Sequence, residues 1–277
     1  MSMVDEERKM ARARKIDNVI PLNVSNETDD QVEDRIAERF SILDILAKSA
    51  IAGDVRSVIV SGSPGCGKSY TVLKELENYD PSGNTYTVIK GYAKSTGLVK
   101  TLYNYRHPGN IIVFDDIDNI FYDDVSLNLL KAVADTCDNR RVSYLSEYKL
   151  LDEETGEIVP RNFDFEGTIV FLTNLDFQQM VDKGHKLAPH LDALMSRSLY
   201  LDLTLKTRKD KLVRIRNVVE HGLLSHLDID QQVDVLTFLE IHFEHLRELS
   251  LREVIKLGQL RKTNSSWEKI ARITLCK

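Results

Sequence analysis

Cysteine is scarce in this chain. Its three cysteines, Cys66, Cys137 and Cys276, lie far apart and form no Cys-x-x-Cys pair. That excludes a disulfide framework and a zinc knuckle, and it suits a reducing compartment. Long apolar runs are missing too, since none approaches the roughly 20 residues that span a bilayer. An excess of positive charge is also absent: 37 Lys and Arg against 43 Asp and Glu give a net charge of −6. The chain is therefore no polycation that binds nucleic acid by bulk charge, although a local basic surface remains compatible. The opening stretch MSMVDEERKMARARK has no apolar segment and does not read as a secretory signal. The expectation is a soluble, cytoplasmic-type protein. No internal repeat or low-complexity tract occurs.

What is present is a core-forming chain of 277 residues, 42% of them hydrophobic. Residues 1–27 are polar and mixed in charge, which suits a flexible tail or an arm onto a neighbour. Thr28-Asp-Asp-Gln31 has the form of a capping box, and Val32, Ile36, Phe40, Leu43 and Leu46 follow at helical spacing. A helix to about Ala52, ended by Gly53, is expected. Strands are then expected at residues 58–61, 85–90, 111–114, 168–172 and 199–203. Helices are expected at 68–78 and 98–103, and from a cap at Asp124 through Cys137. This alternation argues for α/β architecture with a parallel sheet flanked by helices. Residues 206–221, 229–246 and 251–260 look helical, with a short strand near Ile273. They predict a helical C-terminal region over residues 206–277, following an α/β region over 28–205. Residues 142–166 interrupt the alternation, with two extended stretches about a Thr155-Gly156 turn, and read as an inserted hairpin.

Gly62-x-x-x-x-Gly67-Lys68-Ser69 fits the P-loop pattern in full, between a strand and a helix. Glycines let backbone N–H groups curl around phosphate oxygens, and the following helix adds the partial positive charge of its N-terminus. The residues assigned to ATP are Gly62, Ser63, Pro64, Gly65, Cys66, Gly67, Lys68, Ser69 and Tyr70. Lys68 would reach the β- and γ-phosphates, and the Ser69 hydroxyl would bind Mg²⁺. A second hydrophobic strand ends in Asp115-Asp116-Ile-Asp118. That places carboxylates at the carboxyl edge of the sheet, where α/β ligands sit. Asp115 would hold Mg²⁺ through water, and Asp116 would orient or deprotonate the attacking water.

On these motifs the sequence resembles the AAA+ ATPases, P-loop ring motors, over about residues 39–260. The resemblance implies further roles. Thr168-Ile-Val-Phe-Leu-Thr173-Asn174 looks like the sensor-1 strand, with Asn174 watching the γ-phosphate. Ala193-Leu-Met-Ser196-Arg197 resembles the arginine-finger segment, so Arg197 would enter a neighbouring subunit's site. Ser250-Leu-Arg252 resembles sensor 2, with Arg252 on the γ-phosphate of its own subunit. One position departs from the pattern: the second acid of the strand motif is usually glutamate, and here it is Asp116. Slow hydrolysis or a compensating shift of the backbone would each fit that departure.

The resemblance also implies a homo-oligomer, a hexameric ring in its relatives' manner, acting on a cargo. Gly91-Tyr92-Ala93-Lys94 follows the second strand, at the position where protein-translocating relatives carry a pore loop. Tyr92 and Lys94 are the candidate cargo contacts. Lys90 and Lys94 would equally suit a nucleic-acid backbone, with Tyr92 stacking on its bases. Against that, the inserted hairpin bears Asp152, Glu153, Glu154, Glu157, Asp164 and Glu166 against Lys149 and Arg161, and acids repel phosphates. The expected function is ATP-driven remodelling of a protein or protein assembly, through an adaptor or directly. A nucleic-acid motor or helicase loader, and a nucleotide-gated scaffold with little hydrolysis, are the alternatives.

Overall fold

Every residue of the strand Ser57–Gly62 (β1) is buried, because a parallel sheet covered on both faces leaves no side chain to water. The computed structural model describes residues 27–152 and 156–277. The expected tail thus lies outside the described residues except for Glu27, as do Glu153, Glu154 and Thr155 of the hairpin tip.

The chain enters through α1 (Asp29–Ala52), capped by the Thr28–Gln31 box and ended by Gly53 at φ 80°. After β1 come α2 (Lys68–Tyr79), β2 (Tyr86–Lys90), α3 (Ser95–Asn104) and β3 (Ile111–Asp115). A 3₁₀ turn (Asp118–Tyr122) leads to α4 (Asp124–Val133). Four short strands follow: β4 (Arg141–Ser143), β5 (Leu150–Leu151), β6 (Ile158–Val159) and β7 (Asn162–Asp164). Then come β8 (Thr168–Thr173), α5 (Phe177–Asp182), α6 (Ala188–Met195) and β9 (Leu199–Leu203). Four helices finish the chain: α7 (Arg208–Glu220), α8 (Ile229–His242), α9 (Leu251–Thr263) and α10 (Trp267–Leu275).

The main sheet has five parallel strands in the order β2-β3-β8-β1-β9. Alternation along each strand divides the core between its faces. Ile59, Ile112, Phe114, Ile169 and Phe171 point one way, onto α3, α4, α6 and Phe163. Val58, Val60, Ile111, Val113, Val170 and Leu172 point the other way, onto α1 and α2. A third cluster gathers Ile215, Val219, Phe238, Leu239, Val254, Leu257 and Trp267 from the last four helices. Arg35, buried on α1, ties that helix to α7 through Asp210 at 3.4 Å and holds Glu27 at 2.7 Å.

Residues 141–164 form two short antiparallel ladders, β4 with β7 and β5 with β6. Asp152 does not stand at a solvated tip: it is buried, and Asn104 of α3 donates to its carboxylate at 2.6 Å. Two other expectations need correction. The helix expected to start at a capping Asp124 is capped instead by Asp123, whose side chain accepts from the Ser126 N–H, and it stops at Val133 rather than Cys137. The strand expected near Ile273 is the helix α10, because Trp267 and Ala271, four apart, face the third core cluster.

Gly167, where the chain enters β8, shows how tightly this sheet is set. A Cβ there would lie 2.5 Å from the Tyr105 carbonyl oxygen, a backbone atom that cannot swing aside. Gly97, on the exposed side of α3, has nothing within 4 Å. Gly167→Ala is therefore expected to lower stability by about 1–3 kcal/mol. Gly97→Ala is expected to raise it by about 0.5–1 kcal/mol. Urea unfolding of the two variants beside the parent reads both, and an unchanged Gly167→Ala midpoint would contradict the packing described.

Candidate nucleotide site

The carboxyl ends of β1, β3 and β8 lie side by side, and the candidate residues follow them directly. The chain leaves β1 across the sheet in one direction and β8 in the other, which opens a crevice at that edge. The turn after β1 needs its glycines. Gly65 and Gly67 sit at φ 67° and 108°, in the left-handed region. Gly67 then caps α2, whose first residue is Lys68.

Lys68 is buried, and its Nζ donates to the Gly62 carbonyl at 2.6 Å, the Ser63 carbonyl at 3.2 Å and Asn174 Oδ1 at 3.0 Å. Burial pushes its pKa below the ordinary lysine value, against the pull of nearby Asp116 and Asp115. Ser69 Oγ donates to Asp115 Oδ1 at 2.6 Å. A hydroxyl and a carboxylate held together supply the oxygen ligands that a hard divalent cation takes, so these two residues fit Mg²⁺. Asn174, just past β8, donates from Nδ2 to Asp116 Oδ1 at 2.7 Å. Arg252, near the start of α9, approaches Asp116 Oδ2 at 3.9 Å. Lys68, Ser69, Asp116, Asn174 and Arg252 line one cavity of about 180 Å³, with Gly65, Cys66, Gly67, Tyr70 and Leu251; Asp115 is buried and meets this set through Ser69. Ser63 lies outside the lining and bonds the Leu205 backbone through its hydroxyl, and Pro64 is exposed at the turn. Cys66 presents its backbone to the cavity while its thiol side is buried in the core.

Asp116 has φ 55° and is the one non-glycine residue with positive φ among the described residues. Every L-residue pays there at its Cβ, and aspartate and asparagine offset the cost best because their short polar side chains bond locally. Asp118 is bonded by Thr173 Oγ1 at 2.6 Å, and burial raises its pKa.

Arg197, Tyr92 and Lys94 do not join this cavity. Arg197 precedes β9, whose Leu199 pairs with Val58 at the amino end of β1. A five-residue strand spans about 16 Å, so Arg197 stands that far from its own glycine turn. Its Nη1 donates to the Ala193 carbonyl at 2.7 Å, and its Nε lies 3.6 Å from Asp135. Tyr92 and Lys94 are exposed on the loop after β2, which Asn119 holds through both backbone groups of Ala93.

Two cations stand beside the site in roles that the sequence does not suggest, Lys90 being read there only as a candidate nucleic-acid contact. Lys90 is paired with Asp115 by the β2–β3 register, and its Nζ lies 3.0 Å from Asp115 Oδ2. Arg214 of α7 donates to the Cys66 carbonyl at 3.3 Å and stacks 3.4 Å above the Phe40 ring, and burial pushes its pKa down to about 10. The only signal for Lys90 was its place at a strand end; for Arg214 there was none.

Comparison with known proteins adds one relative. The uncharacterised 36.7 kDa protein of the nrdC–mobD intergenic region of Enterobacteria phage T4 is 35% identical over 250 residues, covering 88% of this chain and 76% of that protein. The chain belongs to that phage protein's family. No protein-family model matches it. Solved structures similar to it include NtrX from Brucella abortus in complex with ADP, at TM-score 0.48 and 13% identity, covering 94% of this chain and 55% of that one. This chain therefore spans about half of NtrX. A RuvB variant from Thermotoga maritima gives TM-score 0.48 at 13% identity, with 90% of this chain and 73% of that one covered. The Thermotoga maritima RuvB Holliday junction branch migration motor gives 0.45 at 15% identity, with 88% and 68% covered. Among the described residues no helix is long and apolar enough to cross a membrane.

Two outcomes are expected from this geometry. Asp116→Asn keeps the left-handed turn and its stability, whereas Asp116→Glu and Asp116→Ala lose about 1 kcal/mol in urea unfolding. A Glu variant as stable as the parent would contradict the strain assigned here. For Lys68, the folded pKa lies below the ordinary value of 10.5, so the charge opposes folding. That cost is full below the folded pKa and fades as pH rises through the unfolded one. Lys68→Met should thus melt higher than the parent near neutral pH, with the gain shrinking as pH rises toward 10.5 and gone above it; a lower melting temperature would reverse the sign.

Proposed function

We propose that this protein is an AAA+-type ATPase that couples ATP binding and hydrolysis, within an oligomeric ring, to remodelling of a protein or protein assembly. One observation carries the reading: Lys68, Ser69, Asp116, Asn174 and Arg252 meet around a single cavity beside the glycine turn, with buried Asp115 bonded to Ser69. In this reading the backbone N–H groups of the turn cradle the phosphates, and Lys68 exchanges its carbonyl partners for phosphate oxygens. Ser69 and Asp115 would hold Mg²⁺, which supplies charge neutralisation on the phosphates when bound. Asp116 accepts a proton from the attacking water or orients it. Asn174 fixes that water by donor and acceptor together. Arg252 reaches the terminal phosphate from α9.

Arg197 stands at the opposite edge of the sheet from its own site, so it serves only if another subunit's site is brought to it. This supports a homo-oligomer, and a hexameric ring is the assembly proposed. Residues 28–205 would then be the nucleotide-binding part and residues 206–277 its lid. Tyr92 and Lys94, exposed on the loop after β2, are the proposed cargo contacts.

Lys68→Ala is expected to abolish binding of a fluorescent ATP analogue. Arg197→Ala should bind it nearly as the parent does, but hydrolyse ATP roughly 10³-fold more slowly. Mixed Lys68→Ala and Arg197→Ala subunits should recover part of the activity, each supplying what the other lacks. No recovery in demonstrably mixed rings would remove Arg197 from its role. A parent protein that ignores adenine nucleotides at saturating magnesium would end the proposal.

A further inference from the structure

We propose that Asp118 is a positioning residue of the nucleotide site, which holds Asn174 in place through the Thr173 hydroxyl. The clamp stands on hydrogen-bond geometry; its catalytic consequence rests on the ATPase reading. Asn174 is exposed in the loop between β8 and α5. The β1–β8 pairing ends at Thr173, so the ladder does not reach Asn174. Ordering a loop residue costs conformational entropy, which contacts on its neighbours must offset. Both neighbours are held. Thr173 is buried; its Oγ1 donates to Asp118 Oδ1 at 2.6 Å and accepts from the Leu175 N–H at 3.0 Å. The Leu175 carbonyl accepts from the buried Ser61 hydroxyl at 2.7 Å.

The direction of these bonds follows from chemistry. A backbone N–H only donates and an ionised carboxylate only accepts, so the Thr173 proton points at Asp118 and a lone pair points at Leu175. Without the carboxylate the hydroxyl is free to rotate, and the Leu175 N–H loses a fixed acceptor. The chain turns at Asp116, φ 55°, where the Asp116 N–H bonds the Leu172 carbonyl at 3.0 Å, and Asp118 follows two residues on. Asn174 is thus tied to this turn twice, directly to Asp116 at 2.7 Å and through Thr173 to Asp118. Stability does not account for Asp118. Among the described residues Thr173 is the one hydrogen-bond donor to its carboxylate. Burial raises its pKa against that bond, so at neutral pH its charge opposes folding. What the acid supplies is the direction of one hydroxyl.

The test uses the full-length protein and two readouts. The first needs no nucleotide: amide hydrogen exchange at residues 174–176, with β1 and β3 as the reference. Asp118→Ala is expected to speed exchange at 174–176 about tenfold, the factor one hydrogen bond supplies, and to leave β1 and β3 as protected as before. Thr173→Val should do the same. The double variant should exchange no faster than either single one, because both remove one interaction. Asp118→Asn keeps an acceptor and should stay close to the parent. The second readout is turnover. Asp118→Ala is expected to lower kcat by about tenfold to 10²-fold, with KM for ATP little changed. In an Asn174→Ala background it should cost nothing further, whereas a residue that only supports the fold would lower both backgrounds alike. Unchanged exchange at 174–176, faster exchange spread through β1 and β3, or an additive loss of kcat would overturn the proposal. A parent without turnover would end the ATPase reading alone, and the exchange comparison would still uphold or overturn the clamp.

Discussion

Parallel register is the constraint on which the rest of this molecule depends. The hydrogen-bonded ladders align Ser61 with Thr173, Asp115 with Leu172 and Lys90 with Asp115. Strand ends that belong to distant parts of the chain therefore stop at one edge. The Ser69–Asp115 contact at 2.6 Å and the Asn174–Asp116 contact at 2.7 Å are consequences of that alignment. A slip of one residue in any of these strands would turn its side chains to the opposite face and separate the groups. Alternation of Ile, Val and Phe between two packed faces holds the register, so the core that stabilises the sheet also positions the chemistry.

The last four helices reach the same edge by a different kind of contact. The Leu251 N–H donates to the Gly65 carbonyl at 3.0 Å, and a Cβ on Gly65 would lie 2.7 Å from the Ser250 Cβ. Glycine at position 65 thus meets two demands, a positive φ and the approach of α9. Arg214 adds a second tie, from α7 to the Cys66 carbonyl. Through these contacts the conformation of the glycine turn and the placement of Arg252 are linked. A movement of the helices relative to the sheet would change both together.

Much of this was legible from sequence because it is local. The Thr28 box, Gly53, the strand at residues 199–203 and the glycine turn each announce themselves within a few residues. The errors lie where local signals tie or compete. Asp123 and Asp124 are equal as caps, and only the fold chooses the first. Residues 273–275 look strand-like, yet Trp267 and Ala271 commit them to a helix through contacts with other helices. Gly167 and Arg214 could not be read at all, and the partner of Lys90 could not be read. Their importance comes from a neighbouring carbonyl, a register partner and a ring supplied by remote segments. The departure at Asp116 was visible as a letter, but its meaning required a dihedral angle.

The cations and carboxylates at the edge form a set of exchangeable pairs. Lys90 faces Asp115, Arg252 faces Asp116, and Lys68 draws on carbonyls and Asn174 with both acids nearby. A triphosphate is itself an acceptor for Lys68 and Arg252, and a divalent cation is a competitor of Lys90 for Asp115. Their arrival together would trade each pair for a stronger one without leaving an acid uncompensated. Arrival of the anion alone would strip Asp116 of Arg252 and add negative charge beside Asp115. On the proposed ATPase reading, this pairing would suit the metal-bound nucleotide better than the free one, with Lys90, the exposed member that the β2 end supplies, as the cation positioned to yield.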